Sequence, residues 1–380
     1  MKNAEERMVR VRAKMFTISL VAIALLLGAC GSDDGSDTTA GDTGTTAGDT
    51  ETTAGSAEEV AIRLGFAFPP DFSMPGYYVS EELGYFDEEN VAVELIILDG
   101  TSQVIQQLIA GNIDVGVGGP PTAVLLAGQE GSAVSAFYQI DQRNIFDIVV
   151  REDSEIQSLE DLEGRVLGVT NFAGGEIPVV NAALTEVGLL EGEEYQGVEV
   201  VAVGDGGPSV AAAFEAGRID AYSGGDADTL ALQQIGMELR SILPEKYAVI
   251  PGNLIMATQE SLSSKSDAIT RFGRAFAKGT LFAILAPDRA LEFGCEFAPE
   301  SCTDQEFADL AMAYYVDLGT PPEGEPLGTI NFDGWQAVLE ILQDQGEVPE
   351  DFTIDPYADD SLIDDINDFD RATVEADAAG

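Results

Sequence analysis

The sequence predicts an α/β protein of two similarly built lobes, each a parallel sheet flanked by helices. Strand, loop and helix segments alternate from Val60 onward, and the same series starts again at Val166. Both series close on one short line. Leu108-Ile109-Ala110-Gly111-Asn112-Ile113-Asp114 runs into Gly118-Gly119, and Phe214-Glu215-Ala216-Gly217-Arg218-Ile219-Asp220 runs into Gly224-Gly225. One Ala-Gly-x-Ile-Asp is only a helix stop before a strand. Two copies at matching places indicate two lobes of one plan, each a pair of strand–helix–strand units.

In the first series, Val60–Phe66 reads as a strand, leading into the loop Phe68-Pro69-Pro70. A helix is expected over about 75–84, ended by Gly84, and a strand over Val91–Leu98. Thr101-Ser102 reads as the cap of a helix whose apolar face is Val104, Ile105, Leu108 and Ile109, stopped by Gly111. Ile113–Val117 is the next strand, followed by Gly118-Gly119-Pro120-Pro121 and a helix with proline in its first turn. In the second series Val166–Val169 is a strand and Thr170–Gly175 a loop. A helix follows over about 176–187, then a strand from Val198 to Val203. Ser209–Ala216 is a helix, and Ile219–Tyr222 a strand leading into Ser223-Gly224-Gly225-Asp226. Near the C-terminus, Leu362, Ile363, Ile366 and Phe369 recur at helical spacing among seven acids from Asp355 to Asp370, which predicts a docked amphipathic helix.

The 380 residues carry 18 Lys plus Arg against 68 Asp plus Glu, a net charge of −50. Such a surface repels phosphate backbones and excludes nucleic acid as a partner. Histidine is absent, which removes imidazole general acid/base work, His-containing triads and imidazole metal sites. No metal or other cofactor is expected.

Charge is uneven at the N-terminus. Residues 1–14 hold five cations, an apolar run extends from Met15 to Ala29, and the run closes on Leu27-Gly28-Ala29-Cys30. A basic region, a short apolar core and small residues before the cut form a secretory signal over 1–29. The run is shorter than the roughly twenty residues of a membrane span. It resembles a bacterial lipoprotein signal in which Cys30 becomes the lipidated first residue; an ordinary signal with a chance cysteine is the alternative. Residues 30–59 then follow as a disordered acidic linker rich in Thr, Gly and Asp, with Thr-Thr-Ala-Gly three times and eight acids over 31–59. The expected location is the extracytoplasmic face of the cell membrane, held there by lipid. In an exported chain Cys295 and Cys302, seven apart, read as a local disulfide, with free buried thiols as the alternative.

Parallel sheets bind ligands beyond the carboxyl ends of their strands. The loops at 66–76, 118–121, 170–176 and 223–226 are therefore expected at a shared cleft. Their glycines allow close backbone approach, and the helix N-termini offer free N–H donors. The ligand-binding candidates are Phe66, Phe68, Tyr77, Tyr138 and Phe172; Gly118, Gly119, Gly174 and Gly175; and Gln139, Asn171, Glu176, Ser223 and Asp226. Each aromatic reads equally well as core. Glu176 reads also as a favourable charge at a helix start, and Asp226 as an N-cap.

The segment Pro75–Leu95, with Tyr77-Tyr78-Val79-Ser80-Glu81-Glu82-Leu83-Gly84-Tyr85-Phe86 and Val91-Ala92-Val93-Glu94, resembles a signature of solute-binding proteins of ABC importers for nitrate, sulfonate, taurine and thiamine precursors. Leu108–Gly118, Ser158–Val169 and Ala268–Gly279 are similar to three further segments of that family, in the same order. The resemblance implies a two-lobed periplasmic-binding-protein type II fold, with a cleft between lobes joined by two crossovers. Lobe 1 would be 60–150 plus 251–380 and lobe 2 would be 151–250, with crossovers near Val149-Val150 and Ile250-Pro251. It also implies a monomer that delivers a small molecule to ABC permease and ATPase subunits. A ligand sensor on the same fold is a further reading.

The loops hold no Lys or Arg, yet contribute Glu176 and Asp226. That favours an aromatic amine, such as a pyrimidine thiamine precursor, over sulfonate, taurine or nitrate. Arg143 is the residue that could reverse the order. An enzyme is not expected: the synthase that shares this fold resembles it with an active-site histidine and a cysteine-rich motif, which this chain lacks.

Overall fold

The first strand β1 (Val60–Phe66) buries Ile62 and the stretch Leu64–Phe66, while Ala61 is exposed and Arg63 is partly so. The computed structural model describes residues 58–69, 73–204 and 206–380. The signal over 1–29, the lipidation at Cys30 and the linker up to residue 57 lie outside the described residues. After β1 come α1 (Pro75–Leu83) and α2 (Tyr85–Glu88), divided by Gly84 at φ 79°. Then follow β2 (Val91–Ile97), α3 (Thr101–Ile109), β3 (Val115–Gly118), α4 (Pro121–Gln129) and β4 (Val134–Gln139). β1 pairs in parallel with β2 and β3.

The second series opens with β5 (Phe146–Arg151), β6 (Val166–Val169) and α5 (Ile177–Glu186). A small hairpin, β7 (Leu190–Glu191) with β8 (Glu194–Tyr195), precedes β9 (Glu199–Ala202), α6 (Gly207–Glu215), β10 (Ala221–Gly225), α7 (Asp226–Gln234) and β11 (Leu239–Ser241). The chain then returns as β12 (Leu254–Thr258), α8 (Gln259–Ser264), α9 (Ser266–Leu285), α10 (Pro287–Phe297), α11 (Gln305–Gly319), α12 (Phe332–Asp344), α13 (Ile363–Ile366) and α14 (Arg371–Ala379).

Two five-stranded sheets result, ordered β2-β1-β3-β12-β4 and β9-β6-β10-β5-β11. In each, three parallel strands are followed by an antiparallel one that enters directly after the chain changes sheet: β12 beside β3, and β5 beside β10. β4 runs antiparallel to β12, so it points the same way as β1 and β3. The architecture is the two-sheet α/β arrangement of periplasmic binding proteins.

Some expectations change. Phe146–Arg151 pairs with β10 and β11, so the chain leaves the first sheet over residues 140–145, not at Val149-Val150. A short run buried on both faces carries no period that tells which sheet it joins. Thr101 is not a helix cap: Gly100 holds that position, and the Thr101 hydroxyl accepts the Gly119 N–H at 3.3 Å. The single helix expected over 355–370 is instead one turn, α13, with Leu362, Ile363 and Ile366 in the core, and a separate α14. Cys295 and Cys302 are bonded, with Cα atoms 5.5 Å apart, joining the end of α10 to the turn after it.

The longest helix, α9, lies on the first sheet and buries Phe272, Phe276 and Phe282 with Tyr78, Tyr85 and Phe86. Arg271, buried on the same helix, donates to the carbonyls of Glu58, Glu89 and Asn90 and so fixes the entry to β1.

Candidate functional site

The carboxyl ends of β1, β3 and β4 share one edge of the first sheet, and loops from the second sheet meet that edge. Two glycines make the approach possible. Gly100 has φ 92°, and a Cβ there would collide with the Ala173 carbonyl. A Cβ on Gly175 would stand 2.6 Å from the Phe146 ring and 3.1 Å from the Gly119 carbonyl. The loops 118–121 and 170–176 therefore touch backbone to backbone, as their glycines allow.

The aromatic candidates divide. Phe66 and Tyr77 are buried, with ring centroids 5.5 Å apart, and Phe68 meets Phe66 edge-on at 6.1 Å. Both buried rings are core, and only half-buried Phe68 keeps a face available. Tyr138 is also buried, edge-on to Phe276 at 5.6 Å. Phe172 is 58% exposed at the tip of its loop.

Among polar candidates, Gln139 is spent on structure: its Oε1 accepts the Asn331 N–H at 3.0 Å and its Nε2 donates to Gln142 at 3.2 Å. Asn171 folds its own loop by accepting the Ala173 N–H at 2.8 Å. Gly174 lies against the Glu176 carboxylate, which accepts from the Thr170 N–H at 2.9 Å and from the Thr170 hydroxyl. Burial raises the Glu176 pKa, opposed by those bonds. Ser223 is buried inside β10, and Gly118 ends β3 against Thr101.

Asp226 occupies the first position of α7 and reaches the other series, where the Tyr314 hydroxyl on α11 donates to it. Burial pushes its carboxyl up to about 7, with the charges of Asp141 and Asp147 adding and Tyr314 and Arg143 opposing. Asp141, which follows β4, is buried and pushed up to about 6 by that burial, although Asn253 donates to its Oδ2 from Nδ2 at 2.8 Å and from the backbone at 2.9 Å. Asp147 on β5 is raised by burial as well, and accepts the Ser241 hydroxyl at 2.6 Å.

Burial thus raises all three carboxyls, and the charges of Asp141 and Asp147 act on Asp226 where the series meet. Arg143 is beside them, 5.6 Å over the Tyr314 ring, but its guanidinium pairs with Asp317 at 2.8 Å. Sequence reasoning missed Asp141, Asp147 and Tyr314. The first follows Gln139-Ile140 at a strand end and could have been found by extending that loop. Tyr314, 88 residues from Asp226, carries no local signal.

Among the described residues no group of acids and cysteines is arranged to hold a metal, and no helix is long and apolar enough to cross a membrane.

The family model described as NMT1/THI5 like matches residues 71–290. A formylaminopyrimidine-binding protein of Halalkalibacterium halodurans is 24% identical over 331 residues, 86% of this chain and 92% of its own. The riboflavin-binding protein RibY of Chloroflexus aurantiacus is 23% identical over 260 residues, 67% of this chain and 70% of its own. Among solved structures, the alkanesulfonate-binding protein SsuA of Xanthomonas axonopodis pv. citri, bound to MOPS, has a TM-score of 0.58 at 16% identity. That match covers 80% of this chain and 99% of the other.

Proposed function

The chain belongs to the NMT1/THI5-like family, and from that membership we propose that it is a solute-binding protein rather than an enzyme. It captures a small molecule in the cleft between its two lobes and delivers it to the permease and ATPase of an ABC importer. It works as a monomer on the extracytoplasmic face of the cell membrane, tethered through lipid on Cys30. The lobes are the two sheets with their helices, and the cleft lies between Phe68 and Asp141 on one side and Glu176 and Asp226 on the other, beside the seam where Gly119 meets Gly175.

The observation that carries the ligand class is the set of carboxyls Asp141, Asp147 and Asp226, with no lysine nearby and Arg143 engaged by Asp317. An anion placed there would meet like charge in a poorly solvated site. A protonated or polarised amino group instead relieves the repulsion and takes charge-assisted hydrogen bonds. Phe68 supplies an aromatic face for a ring. A pyrimidine thiamine precursor, or a similar aromatic amine, meets both requirements. The names of the two relatives point to nitrogen heterocycles as well.

One observation favours a second reading. Arg143 lies over Tyr314, and release from the exposed Asp317 would free it for a sulfonate, taurine or nitrate. A thermal-shift panel separates the two, since a tight ligand raises stability by mass action. Aminopyrimidines are expected to raise the Tm, with no change from alkanesulfonates, taurine or nitrate; the reverse pattern would establish the second reading.

A further inference from the structure

Behind the cleft lies a cavity of about 20 Å³, lined by Ser73 to Gly76, Tyr138, Ile140-Asp141, Phe276, Thr280 and the end of α11 at Gly319. It adjoins the carboxyl end of β4 through Tyr138, Ile140 and Asp141. A volume near 20 Å³ exceeds the roughly 10–15 Å³ that one water-sized group requires.

Two polar groups in its wall have unused capacity. Both bonds to Asp141 fall on Oδ2, which leaves Oδ1 available. The Tyr138 hydroxyl is buried beside Thr280 with no partner in full hydrogen-bond geometry, while the Thr280 hydroxyl donates to the Phe276 carbonyl at 3.1 Å. A buried hydroxyl without a partner costs about 1–3 kcal/mol, so folding alone gives no reason to keep one there.

We propose that this cavity receives one primary amino group of the ligand, held between the carboxylate of Asp141 and the hydroxyl of Tyr138. The size restricts the occupant to one group of few atoms. The chemistry selects a donor, since a carboxylate oxygen and a phenol oxygen can both accept. Of the other walls, Met74, Pro75, Phe276 and Ile284 are apolar, and the Thr280 hydroxyl is already donated to the Phe276 carbonyl, so a carboxylate or sulfonate oxygen would gain little there. The inference rests on the amine reading of the cleft and narrows it: the ring stays outside, and a short amino substituent enters.

Two substitutions test it without disturbing the fold. Tyr138→Phe removes a hydroxyl with no protein partner. Gly319→Ala adds a methyl whose nearest neighbour, the Ile140 carbonyl, stands at 3.5 Å, at a residue whose φ suits any side chain. Titration calorimetry on the full chain uses a 4-aminopyrimidine bearing a 5-aminomethyl group, and its 5-ethyl analogue. The wild type is expected to prefer the aminomethyl compound by about tenfold or more. Gly319→Ala should lose about tenfold and Tyr138→Phe about threefold to tenfold for that compound, with Tm unchanged or raised and the ethyl analogue unaffected. Asp141→Asn should erase the preference. If the wild type binds the amine and neither Gly319→Ala nor Tyr138→Phe weakens it, the cavity assignment fails and the amine reading survives. If the wild type binds neither compound, the amine reading itself falls and takes the cavity with it.

Discussion

In the first sheet the Asp114 carboxylate accepts the Arg63 backbone N–H at 3.0 Å, while the Asp114 N–H donates to the Arg63 carbonyl at 2.8 Å. In the second sheet Asp220 treats Val166 in the same way, at 2.9 and 2.8 Å. The repeated Ile-Asp is therefore a device that pins the central parallel strand to its neighbour before the ladder begins. What surrounds it differs. The Asp114 side chain is 6% exposed and clasped by Arg63 at 2.8 Å and by Lys265; that of Asp220 is 37% exposed, with Arg165 at 3.7 Å. Despite burial, those partners hold Asp114 well below the usual carboxylate range. One motif can thus be structural twice and costly to lose only once.

The sharpest way to break that comparison is to remove each carboxylate. Asp114→Ala leaves the Arg63 N–H and two cations unpaired and should cost about 2–3 kcal/mol, reduced from the fully buried case because both cations are partly solvated. Asp220→Ala should cost less than about 1 kcal/mol. Urea unfolding of the two variants measures both, and equal losses would show that exposure is not what separates them.

A second contrast lies in acid content. The loop 118–121 of the first sheet is uncharged, whereas the elements of the second sheet carry Asp147, Glu176 and Asp226, and the connecting segment carries Asp141. All four are raised, and with Asp141 at about 6 and Asp226 at about 7 the folded chain still holds protons near pH 6 that the unfolded chain, with Asp near 4, has released. Their contribution to stability is complete below the unfolded pKa and declines as pH rises through about 7, the value for Asp226. Asp114 is ionised throughout that window. Calorimetry should show the ligand-free Tm falling by several degrees from pH 5 to 7.5, and Asp226→Asn flattening the decline. An unchanged slope in that variant would remove Asp226 from the account.

The smallest effect concerns the seam between the series. Gly175→Ala puts a methyl into the Phe146 ring and the Gly119 carbonyl, and should cost about 1 kcal/mol. Small-angle scattering should find a slightly larger radius of gyration, and an unaltered radius would mean that the loops do not need this contact.

The strands β1, β2 and β3, and β6, β9 and β10, were legible because each sits between glycines and an amphipathic helix. β4, β5, β11 and β12 were not, since short buried runs carry no period and their pairing depends on where the chain changes sheet. Site reading met the same limit. Asp226 and Glu176 announced themselves as acids at helix starts, whereas Tyr138 was one aromatic among five, with no strand to place it. Phe66 and Tyr77 turned out to be core, while Asp141 and Tyr314 gain their meaning only when the series meet. Charge counting along the loops pointed toward an amine before any geometry was known, because Lys and Arg were missing from all four.

The central claim is that a protonated or polarised amine replaces the protons that the buried carboxyls of Asp141 and Asp226 otherwise hold. Calorimetric titration of an aminopyrimidine at pH 6 and pH 8, in buffers of differing ionisation enthalpy, reads that exchange. Binding should release about one proton at pH 6 and fewer at pH 8, with Asp226→Asn weakening both affinity and release. Binding of taurine or an alkanesulfonate with proton uptake, and no binding of any aminopyrimidine, would contradict it.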